Sequence, residues 1–328
     1  MIRFATIGRG SIVDCFIEGM RASSKLCLSA VYSRSKADGD AFARKHGVNK
    51  VYTRLEDLAC DRDIDAVYIA SPNSLHAEQS EFLLKAGKHI LCEKPIATSA
   101  AEYKRLKDLA DSLGLIYMEA IIPIYTPFRS AIKKALGEIG NISVARLNYC
   151  QRSSRYDDYM AGKDMNIFNM SLAGGTLMDI GVYCVYAAVD LLGAPKDISA
   201  TASFLRGGTD GSGAALFSYN GFVACLTYGK TSDSALGCEI EGDRGSVTIG
   251  KVGLYADAAL IKDGNSLPLT KFTEKAELMG FEASRFADYI NGTALDEYAD
   301  NSRLCFDVHT CMDKIKQCAD IKYPTIKE

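Results

Sequence analysis

The sequence predicts an α/β chain in two parts: a doubly wound parallel sheet, then an α+β domain with an open, mainly antiparallel sheet. Up to Ala120, short apolar runs alternate with helical patterns, which is typical of βαβ units. After Pro123, alternating apolar and polar residues interrupted by glycines indicate antiparallel strands. The length of 328 residues, with 48% hydrophobic and 24% charged residues, fits about two globular domains.

The N-terminal domain is predicted to span residues 1–121. Each helical pattern follows an apolar run, and Gly47, Gly87 and Gly114 end three of the helices. The predicted strands are Ile2–Ile7, Leu26–Tyr32, Val51–Tyr52, Ala66–Ala70, His89–Cys92 and Ile116–Ala120. The predicted helices are Ser11–Arg21, Lys36–His46, Leu55–Ala59, Ala77–Ala86 and Ala100–Leu113.

The second domain is predicted to span residues 122–328. Its stretch Gln151–Asn169 has no clear periodicity. Three polar residues there, Arg152, Arg155 and Tyr156, either contact a polyol or acidic substrate or belong to a solvated loop. The predicted strands are Ser143–Cys150, Ala200–Leu205, Ala214–Tyr219, Phe222–Thr227, Cys238–Glu241 and Ser246–Ile249. The predicted helices are Phe128–Leu136, one that follows Gly181, Glu277–Asn291 and Arg303–Ala319.

Composition excludes several classes of partner. With 38 basic and 41 acidic residues the net charge is −3, which argues against nucleic acid or an anionic membrane as a partner. We expect a soluble, cytoplasmic protein, because no uninterrupted apolar run approaches a membrane span and the start lacks signal-peptide features. Eleven cysteines without a C-x-x-C pair suit a reducing compartment. Cys305, His309 and Cys311 fall short of the four ligands of structural zinc, so no metal is expected.

A glycine turn between the first strand and the first helix predicts a dinucleotide site. The first glycine allows a tight turn, and the second lets the backbone approach a pyrophosphate at the helix N-terminus. The third small residue of the fingerprint is replaced by Val13, so a plain strand–helix turn is the alternative. The predicted cofactor residues of this turn are Gly8, Arg9, Gly10, Ser11 and Ile12.

The end of the second strand indicates which dinucleotide binds. No carboxylate stands at the position that usually binds the ribose 2′-hydroxyl, whereas Arg34 and Lys36 can bind a 2′-phosphate, with Ser33 as a hydroxyl partner. One charge-assisted hydrogen bond contributes about 1.5–3 kcal/mol. NADP is therefore favoured over NAD, the alternative being that Arg34 only stacks on the adenine and leaves NAD acceptable.

Four motifs carry a resemblance to a known family. They are the turn at Gly8 and Gly10, Ser71–His76, Glu93-Lys94-Pro95 and Gly174–Tyr183. With them, the chain resembles the glucose–fructose oxidoreductase/inositol dehydrogenase (Gfo/Idh/MocA) family over nearly its whole length. Met118–Ala120, Asn169 and Tyr183 make it similar to the dimeric dihydrodiol dehydrogenase branch, although Ile124 stands where that branch usually has an arginine.

The resemblance implies a nicotinamide cofactor on an N-terminal Rossmann domain. It implies a small-molecule substrate covered by the second domain, whose sheet often forms a contact between subunits, so a homodimer or higher homo-oligomer is expected. Lys94 would stand by the nicotinamide and the reacting hydroxyl, with Glu93 supporting it. The other predicted cofactor residues lie at the carboxyl end of a strand; they are Ser71, Pro72, Asn73 and His76. His76 can alternatively be a residue that only begins a helix.

The same resemblance bears on the proton transfer. Many members have a histidine as the acid–base residue where this chain has Tyr183. The ammonium of Lys94 would stabilise the phenolate of Tyr183, and either group can move the proton or stabilise an alkoxide. Asp179 would orient Lys94 or a substrate hydroxyl, or serve only as an N-cap. Tyr183 can alternatively be a core tyrosine.

The predicted function is hydride transfer between NAD(P) and a secondary alcohol or carbonyl of a sugar, polyol or diol. Two alternatives remain open at this point. One is a glycosidase that uses bound NAD for transient oxidation of a sugar. The other is a non-enzymatic regulatory protein that senses nicotinamide cofactors.

Overall fold

The computed structural model describes residues 1–271 and 273–323. Its strands are β1 (Ile2–Ile7), β2 (Leu26–Tyr32), β3 (Val51–Tyr52), β4 (Ala66–Ile69), β5 (His89–Glu93), β6 (Tyr117–Ala120), β7 (Ile142–Cys150), β8 (Asp197–Phe204), β9 (Asp210–Ser218), β10 (Val223–Gly229), β11 (Cys238–Gly242), β12 (Gly245–Lys251), β13 (Ala256–Lys262) and β14 (Asn265–Pro268). Its α-helices are α1 (Ser11–Ser23), α2 (Lys36–His46), α3 (Leu55–Cys60), α4 (His76–Lys85), α5 (Ala100–Ser112), α6 (Pro127–Leu136), α7 (Tyr156–Met160), α8 (Val182–Leu192), α9 (Lys275–Ile290) and α10 (Leu295–Cys318).

By packing, the chain forms two compact units. The first consists of Met1–Tyr125 together with Glu274–Ser302, and the second contains the rest of the described residues. The division predicted at residues 121 and 122 stays a prediction about the domains. The structure adds that Glu274–Ser302, which follows the second sheet in the chain, packs with the N-terminal segment.

The first unit contains a six-stranded sheet in the order β3-β2-β1-β4-β5-β6. Every neighbouring pair is parallel, so the predicted doubly wound parallel sheet is confirmed. The central strand β4 is buried along its whole length, as expected for a sheet covered on both faces. The strand order reverses between β1 and β4, and ligands of such sheets bind outside the carboxyl ends of the strands at this point.

Helix α9 is attached to the first unit by a close crossing with α1. A Cβ atom at Gly19 would lie 2.0 Å from the carbonyl oxygen of Ala276, so only glycine permits this approach. At the end of the crossing, Lys25 Nζ lies 2.8 Å from Ser284 Oγ and 2.6 Å from an Asp288 carboxylate oxygen. Because these contacts join segments far apart in sequence, Glu274–Ser302 is an integral part of this unit.

The second unit contains an eight-stranded sheet in the order β14-β13-β12-β11-β7-β10-β9-β8. The β7–β10 pair is parallel and the other neighbours are antiparallel, which confirms the predicted open, mainly antiparallel sheet. Helices α6 and α8 pack on the face that buries Ala145, Leu147 and Leu226. The opposite face exposes Leu216 and Val223.

Several elements differ from the predicted ones. Leu177–Gly181 forms a π-helical turn that runs directly into α8. Helix α7 lies inside the stretch predicted to be irregular, because its five residues are too short to show a period. Helix α10 begins at Leu295, where exposed acidic residues hide the apolar pattern. In the described part of the chain, the stretch Met170–Leu192 alone is long and apolar enough to cross a membrane, and it is mostly buried inside the protein, as a core helix is.

Candidate active site and dinucleotide pocket

A cavity of about 700 Å³ lies in the first unit at the carboxyl ends of β1, β2 and β4. This is the edge at which the strand order reverses. The predicted cofactor residues that line the cavity are Gly8, Arg9, Gly10, Ser33, Arg34, Ser71 and Pro72. The lining residues that sequence reasoning missed are Ile7, Tyr32, Ser35, Asp38, Ala70, Leu75 and Gln79.

The two glycines of the turn have different physical roles. Gly8 has a φ of +112°, and a Cβ atom there would lie 2.5 Å from the carbonyl oxygen of Ala70, so this position admits only glycine. Gly10 has an ordinary φ of −73°, and a Cβ atom there would meet nothing within 4 Å. Gly10 therefore leaves the backbone open on the ligand side, and the first turn of α1 follows with Ser11 and Ile12, whose amides suit an anion.

The turn after β2 separates the predicted phosphate ligands. The buried Ser33 hydroxyl donates to the Ser35 carbonyl oxygen at 2.8 Å, so it closes the turn. Lys36 is the first residue of α2, and its ammonium pairs with Asp40 on the same helix. Arg34 is exposed, lines the cavity, and has no hydrogen bond or ion pair within residues 1–271 and 273–323. Arg34 is therefore the better placed of the two predicted cations.

An acidic residue also lines this cavity. Asp38 lies in the first turn of α2, and its carboxylate is 3.0 Å from the guanidinium of Arg9. The sequence analysis considered an acid only at the end of β2 and so missed Asp38, which lies in the next helix. The ion pair neutralises a carboxylate that would otherwise repel a phosphate. Because Arg9 already pairs with Asp38, less of its charge is available to a bound cofactor.

The Ser71–His76 motif is held together by hydrogen bonds. The Ser71 hydroxyl donates to Gln79 Oε1 at 2.7 Å, and Asn73 begins a short 3₁₀ turn. His76 is buried, with its two ring nitrogens each 2.8 Å from a backbone carbonyl oxygen, one of Ser71 and one of Pro95. Burial lowers the pKa of His76, and the two carbonyls oppose that shift. The geometry makes His76 a tie between two loops, and its direct contact with the cofactor stays a prediction.

The Glu93-Lys94-Pro95 motif lies at the carboxyl end of β5, beside β4 in the same sheet. The Tyr68 hydroxyl donates to the Glu93 carboxylate. Burial raises the pKa of Glu93, and the nearby charge of Lys94 opposes this shift without cancelling it. Burial is therefore the dominant influence on the pKa of Glu93. Lys94 is half-buried, and its role in catalysis stays a prediction.

A further acid of the first unit was not anticipated. Glu282 of α9 is fully buried, and no side chain within the described residues donates a hydrogen bond to its carboxyl group. Burial raises its pKa well above the usual range, and the charge of Glu93 adds to the shift. A glutamate on an amphipathic helix gives no signal of burial in the sequence, because such residues usually face solvent.

In the second unit, the π-helical turn carries Asp179, and Tyr183 lies in the first turn of α8. The Asp179 carboxylate pairs with the ammonium of Lys230, which directly follows β10. The Tyr183 ring lies 5.7 Å from the Tyr149 ring, centroid to centroid. Lys230 was missed by sequence reasoning, since the pairing joins segments 51 positions apart.

A buried carboxylate supports the start of this helix. Asp210 Oδ2 accepts a hydrogen bond from the Leu177 amide at 2.7 Å, and the Thr176 hydroxyl donates to the Asp210 carbonyl oxygen at 2.9 Å. Burial raises the pKa of Asp210 to about 6. Asp210 therefore performs the capping role that the sequence offered for Asp179 as an alternative.

The remaining candidates lie elsewhere in the second unit. The guanidinium of Arg152 pairs with Asp157 at 2.6 Å and lies over the Tyr156 ring. The side chains considered as metal ligands are buried on α10; they are Cys305, His309 and Cys311. The expectation that no metal is needed stays a prediction.

Comparison with known proteins agrees with this organisation. A family model described as "Oxidoreductase family, NAD-binding Rossmann fold" matches residues 2–121, and one described as "GFO/IDH/MocA C-terminal domain" matches residues 131–248. The scyllo-inositol 2-dehydrogenase (NADP(+)) of Bacillus subtilis is 37% identical over 324 residues, which cover 99% of each chain. The trans-1,2-dihydrobenzene-1,2-diol dehydrogenase of Oryctolagus cuniculus is 31% identical over 249 residues, covering 73% of this chain and 72% of that one.

A solved structure shows the same fold. The 3-ketoreductase KijD10 of Actinomadura kijaniata, in complex with NADP and TDP-benzene, is similar with a TM-score of 0.84 and 24% identity, and the match covers 97% of this chain and 98% of that one. The predicted resemblance is thus confirmed. The chain belongs to the Gfo/Idh/MocA family and is an NAD(P)-dependent dehydrogenase.

Proposed function

We propose that the protein oxidises a secondary alcohol of a cyclic polyol, sugar or diol, or reduces the matching carbonyl, with NADP preferred over NAD. The observation that carries this proposal is the placement of Lys94. It follows β5, next to the strand whose carboxyl end forms the dinucleotide pocket. The relatives named for scyllo-inositol and for a dihydrobenzene diol support the substrate class.

The residues of the pocket fit an NADP dinucleotide. The open backbone at Gly10 and the first turn of α1 suit the pyrophosphate, and Arg34 suits the 2′-phosphate. The relative from Bacillus subtilis is named as an NADP(+) enzyme, which agrees with this preference. When bound, the nicotinamide accepts or supplies the hydride. Ser71, Pro72 and the loop tied by His76 border the pocket on its other side.

Lys94 is proposed to act on the reacting oxygen. Its ammonium donates a hydrogen bond to the substrate hydroxyl and stabilises negative charge on that oxygen as the hydride leaves carbon. Glu93 precedes it in the chain and accepts a hydrogen bond from the Tyr68 hydroxyl. Burial raises the pKa of Glu93, and the Tyr68 hydroxyl and the positive charge of Lys94 oppose that shift.

Tyr183 is proposed to exchange the proton with the substrate oxygen, and Asp179 to orient a substrate hydroxyl. An unperturbed tyrosine has a pKa near 10, and a nearby ammonium brings such a group closer to neutral pH. The ring of Tyr183 packs against Tyr149, which limits its rotation. General acid–base catalysis by a group placed in this way typically contributes about 10²–10⁴-fold.

Turnover tests this function directly. Purified protein should reduce NADP⁺ in the presence of one or more of scyllo-inositol, myo-inositol, D-xylose and a trans-dihydrodiol, followed by nicotinamide absorbance, with or without a metal chelator. Lys94→Ala and Tyr183→Phe should each lower kcat by about 10²-fold or more while NADP affinity stays nearly unchanged. Release of a sugar from a glycoside without net change of the cofactor would instead indicate the glycosidase function and refute this one.

We also propose that the subunits associate through the open face of the second sheet. Leu216 and Val223 are 51% and 45% exposed on neighbouring strands, while the opposite face is covered by α6 and α8. Two large apolar side chains exposed on neighbouring strands suit contact with a second copy of the chain better than contact with water. Light scattering should give at least a dimer, and Leu216→Lys with Val223→Lys should shift it to the monomer; a monomeric wild type would refute this.

A further inference from the structure

We infer that Lys230 is a positioning residue of the active site, whose ammonium holds the Asp179 carboxylate in its working orientation. The inference rests on the proposed function, since it adds a residue to the site around Tyr183. It begins from the direct pairing of the Lys230 ammonium with Asp179, both in the second unit.

The pair is much less exposed than an ion pair at the surface of the same unit. The side chain of Lys230 is 10% exposed and that of Asp179 is 26% exposed, whereas a typical surface pair of this unit, Lys163 with Asp158, is 63% and 39% exposed. A lysine with so little access to water depends on its carboxylate, because removing one partner leaves a poorly solvated charge. The pair is therefore a fixed structural feature rather than one of the exposed pairs that contribute little.

The backbone on both sides of the pair is fixed. The Lys230 amide donates to the Gly211 carbonyl oxygen at 2.9 Å, and the Lys230 carbonyl oxygen accepts from the Ser153 amide at 2.9 Å. Two residues earlier, the Tyr228 ring packs under the π-helical turn, where a Cβ atom at Gly181 would lie 3.0 Å from it. The end of β10 is thus held against the turn that carries Asp179.

The π-helical turn links the pair to the proposed acid–base residue. Tyr183 follows Asp179 by four residues, which places the two side chains on neighbouring parts of one helical face. Extra-residue turns of this kind occur often at functional sites. By holding one carboxylate oxygen, Lys230 fixes the direction of the other, which the proposed function assigns to a substrate hydroxyl.

Steady-state kinetics test this role. Lys230→Met keeps most of the length and removes the charge, and it should lower kcat by about 10²-fold with the KM for NADP changed less than about twofold. Lys230→Arg, which restores the charge, should recover most of that loss. Lys251→Met is the matched control, because Lys251 is an exposed lysine that pairs with Asp257 at 3.3 Å in the same unit; it should retain the wild-type kcat.

A double variant decides whether Lys230 acts through Asp179. Combining Lys230→Met with Asp179→Asn should lower kcat little more than the worse single change, because both remove the same interaction. Fully additive losses, or a wild-type kcat in Lys230→Met, would overturn the inference. If Lys230→Met fails to fold, the neutral double variant and Lys230→Arg still allow the comparison.

Thermal unfolding separates this inference from the proposed function. Lys230→Met should lower Tm in the wild-type background and much less in the Asp179→Asn background, whatever the substrate is. Equal Tm losses in both backgrounds would overturn the pairing itself. If no polyol, sugar or diol is turned over by the wild type, the proposed function fails, and with it the catalytic part of this inference, while the coupling in Tm still reports on the ion pair.

Discussion

The residue with the sharpest consequence for cofactor choice is Arg34. We expect Arg34→Ala to weaken NADP binding by about 10–100-fold, because one charge-assisted hydrogen bond to a phosphate contributes about 1.5–3 kcal/mol. NAD binding should change less than about twofold, since NAD lacks the 2′-phosphate. Fluorescence titration of both cofactors into the wild type and the variant measures the two affinities.

Lys36→Ala is the matched control for that experiment. Lys36 pairs with Asp40 and does not line the pocket, so NADP affinity should fall less than about threefold. A wild type that binds NAD and NADP equally, or an Arg34→Ala variant with unchanged affinity for NADP, would show that Arg34 does not bind the 2′-phosphate.

Single residues differ in how far the sequence could predict them. That Gly8 and Arg34 line the pocket was predictable, because a glycine after the first strand and a cation after the second strand have positions set by local geometry. Asp38 and Glu282 were not. The role of Asp38 depends on Arg9, which approaches from another loop, and that of Glu282 depends on burial by distant segments. Contacts between remote segments leave no periodic signal.

At the scale of elements, the turn between β1 and α1 gives a paired prediction. Gly8→Ala should cost about 1–3 kcal/mol of stability, because its Cβ atom would meet the Ala70 carbonyl oxygen in a conformation that disfavours side chains. Gly10→Ala should keep a Tm close to the wild type, because its Cβ atom meets nothing, yet it should weaken cofactor binding by at least about tenfold. Thermal unfolding and NADP titration of both variants check the prediction.

The opposite pattern would contradict that assignment. A Gly8→Ala variant as stable as the wild type would mean that the turn can relax away from β4. A Gly10→Ala variant with unchanged NADP affinity would mean that the dinucleotide does not approach the backbone at this position.

The start of the helix that leads to Tyr183 gives a prediction about pH. Burial raises the pKa of Asp210 from about 3.8 to about 6, so the folded protein binds this proton more tightly than the unfolded chain. The stabilisation by this proton is complete below about pH 4 and is lost as the pH rises through 6. The loss amounts to about 3 kcal/mol at most, from roughly two units of pKa shift.

Asp210→Asn isolates this contribution. The asparagine keeps an oxygen for the Leu177 amide and carries no titrating proton, so the variant should gain stability relative to the wild type between about pH 4 and pH 7. Urea unfolding of both proteins at several pH values measures this difference. Parallel stability curves for wild type and variant would show that Asp210 does not titrate in this range.

Elements with a clear period were predicted well, and those without one were not. Strand β1 and helix α2 match their predicted bounds, because each has a continuous apolar run or a capped, glycine-ended helical pattern. The π-helical turn before α8 was not predicted, since an extra residue in a turn alters geometry without altering the apolar pattern. Strand β14 is exposed along its length and so lacks the alternation that identifies strands.

At the scale of the molecule, both sheets were predictable and the composition of the first unit was not. The first sheet is marked by apolar runs that alternate with helical patterns, and the second by strands in which apolar and polar residues alternate. The change from one pattern to the other therefore shows where one sheet ends and the other begins. The return of Glu274–Ser302 to the first unit depends on the close contact of Gly19 with α9, which only the folded structure shows.

The discontinuous first unit leads to a prediction about fragments. Residues 1–125 alone should have a lower Tm and weaker NADP binding than the same residues joined to 274–302 by a flexible linker, because α9 covers part of α1. The large apolar residues of α1 that are buried are Val13, Phe16, Ile17 and Met20. Calorimetry and NADP titration of the two fragments measure the difference, and equal Tm values would show that the segment is dispensable.

The same discontinuity sets an order of events during synthesis. A nascent chain leaves the first unit after Tyr125 and returns only at Glu274, so residues 126–273 are all made in between. At about 5–20 residues per second this interval lasts roughly 7–30 s. During this interval α1 has no α9 to pack against at Gly19. The nucleotide-binding unit is therefore translated first but completed only after Glu274–Ser302 has been made.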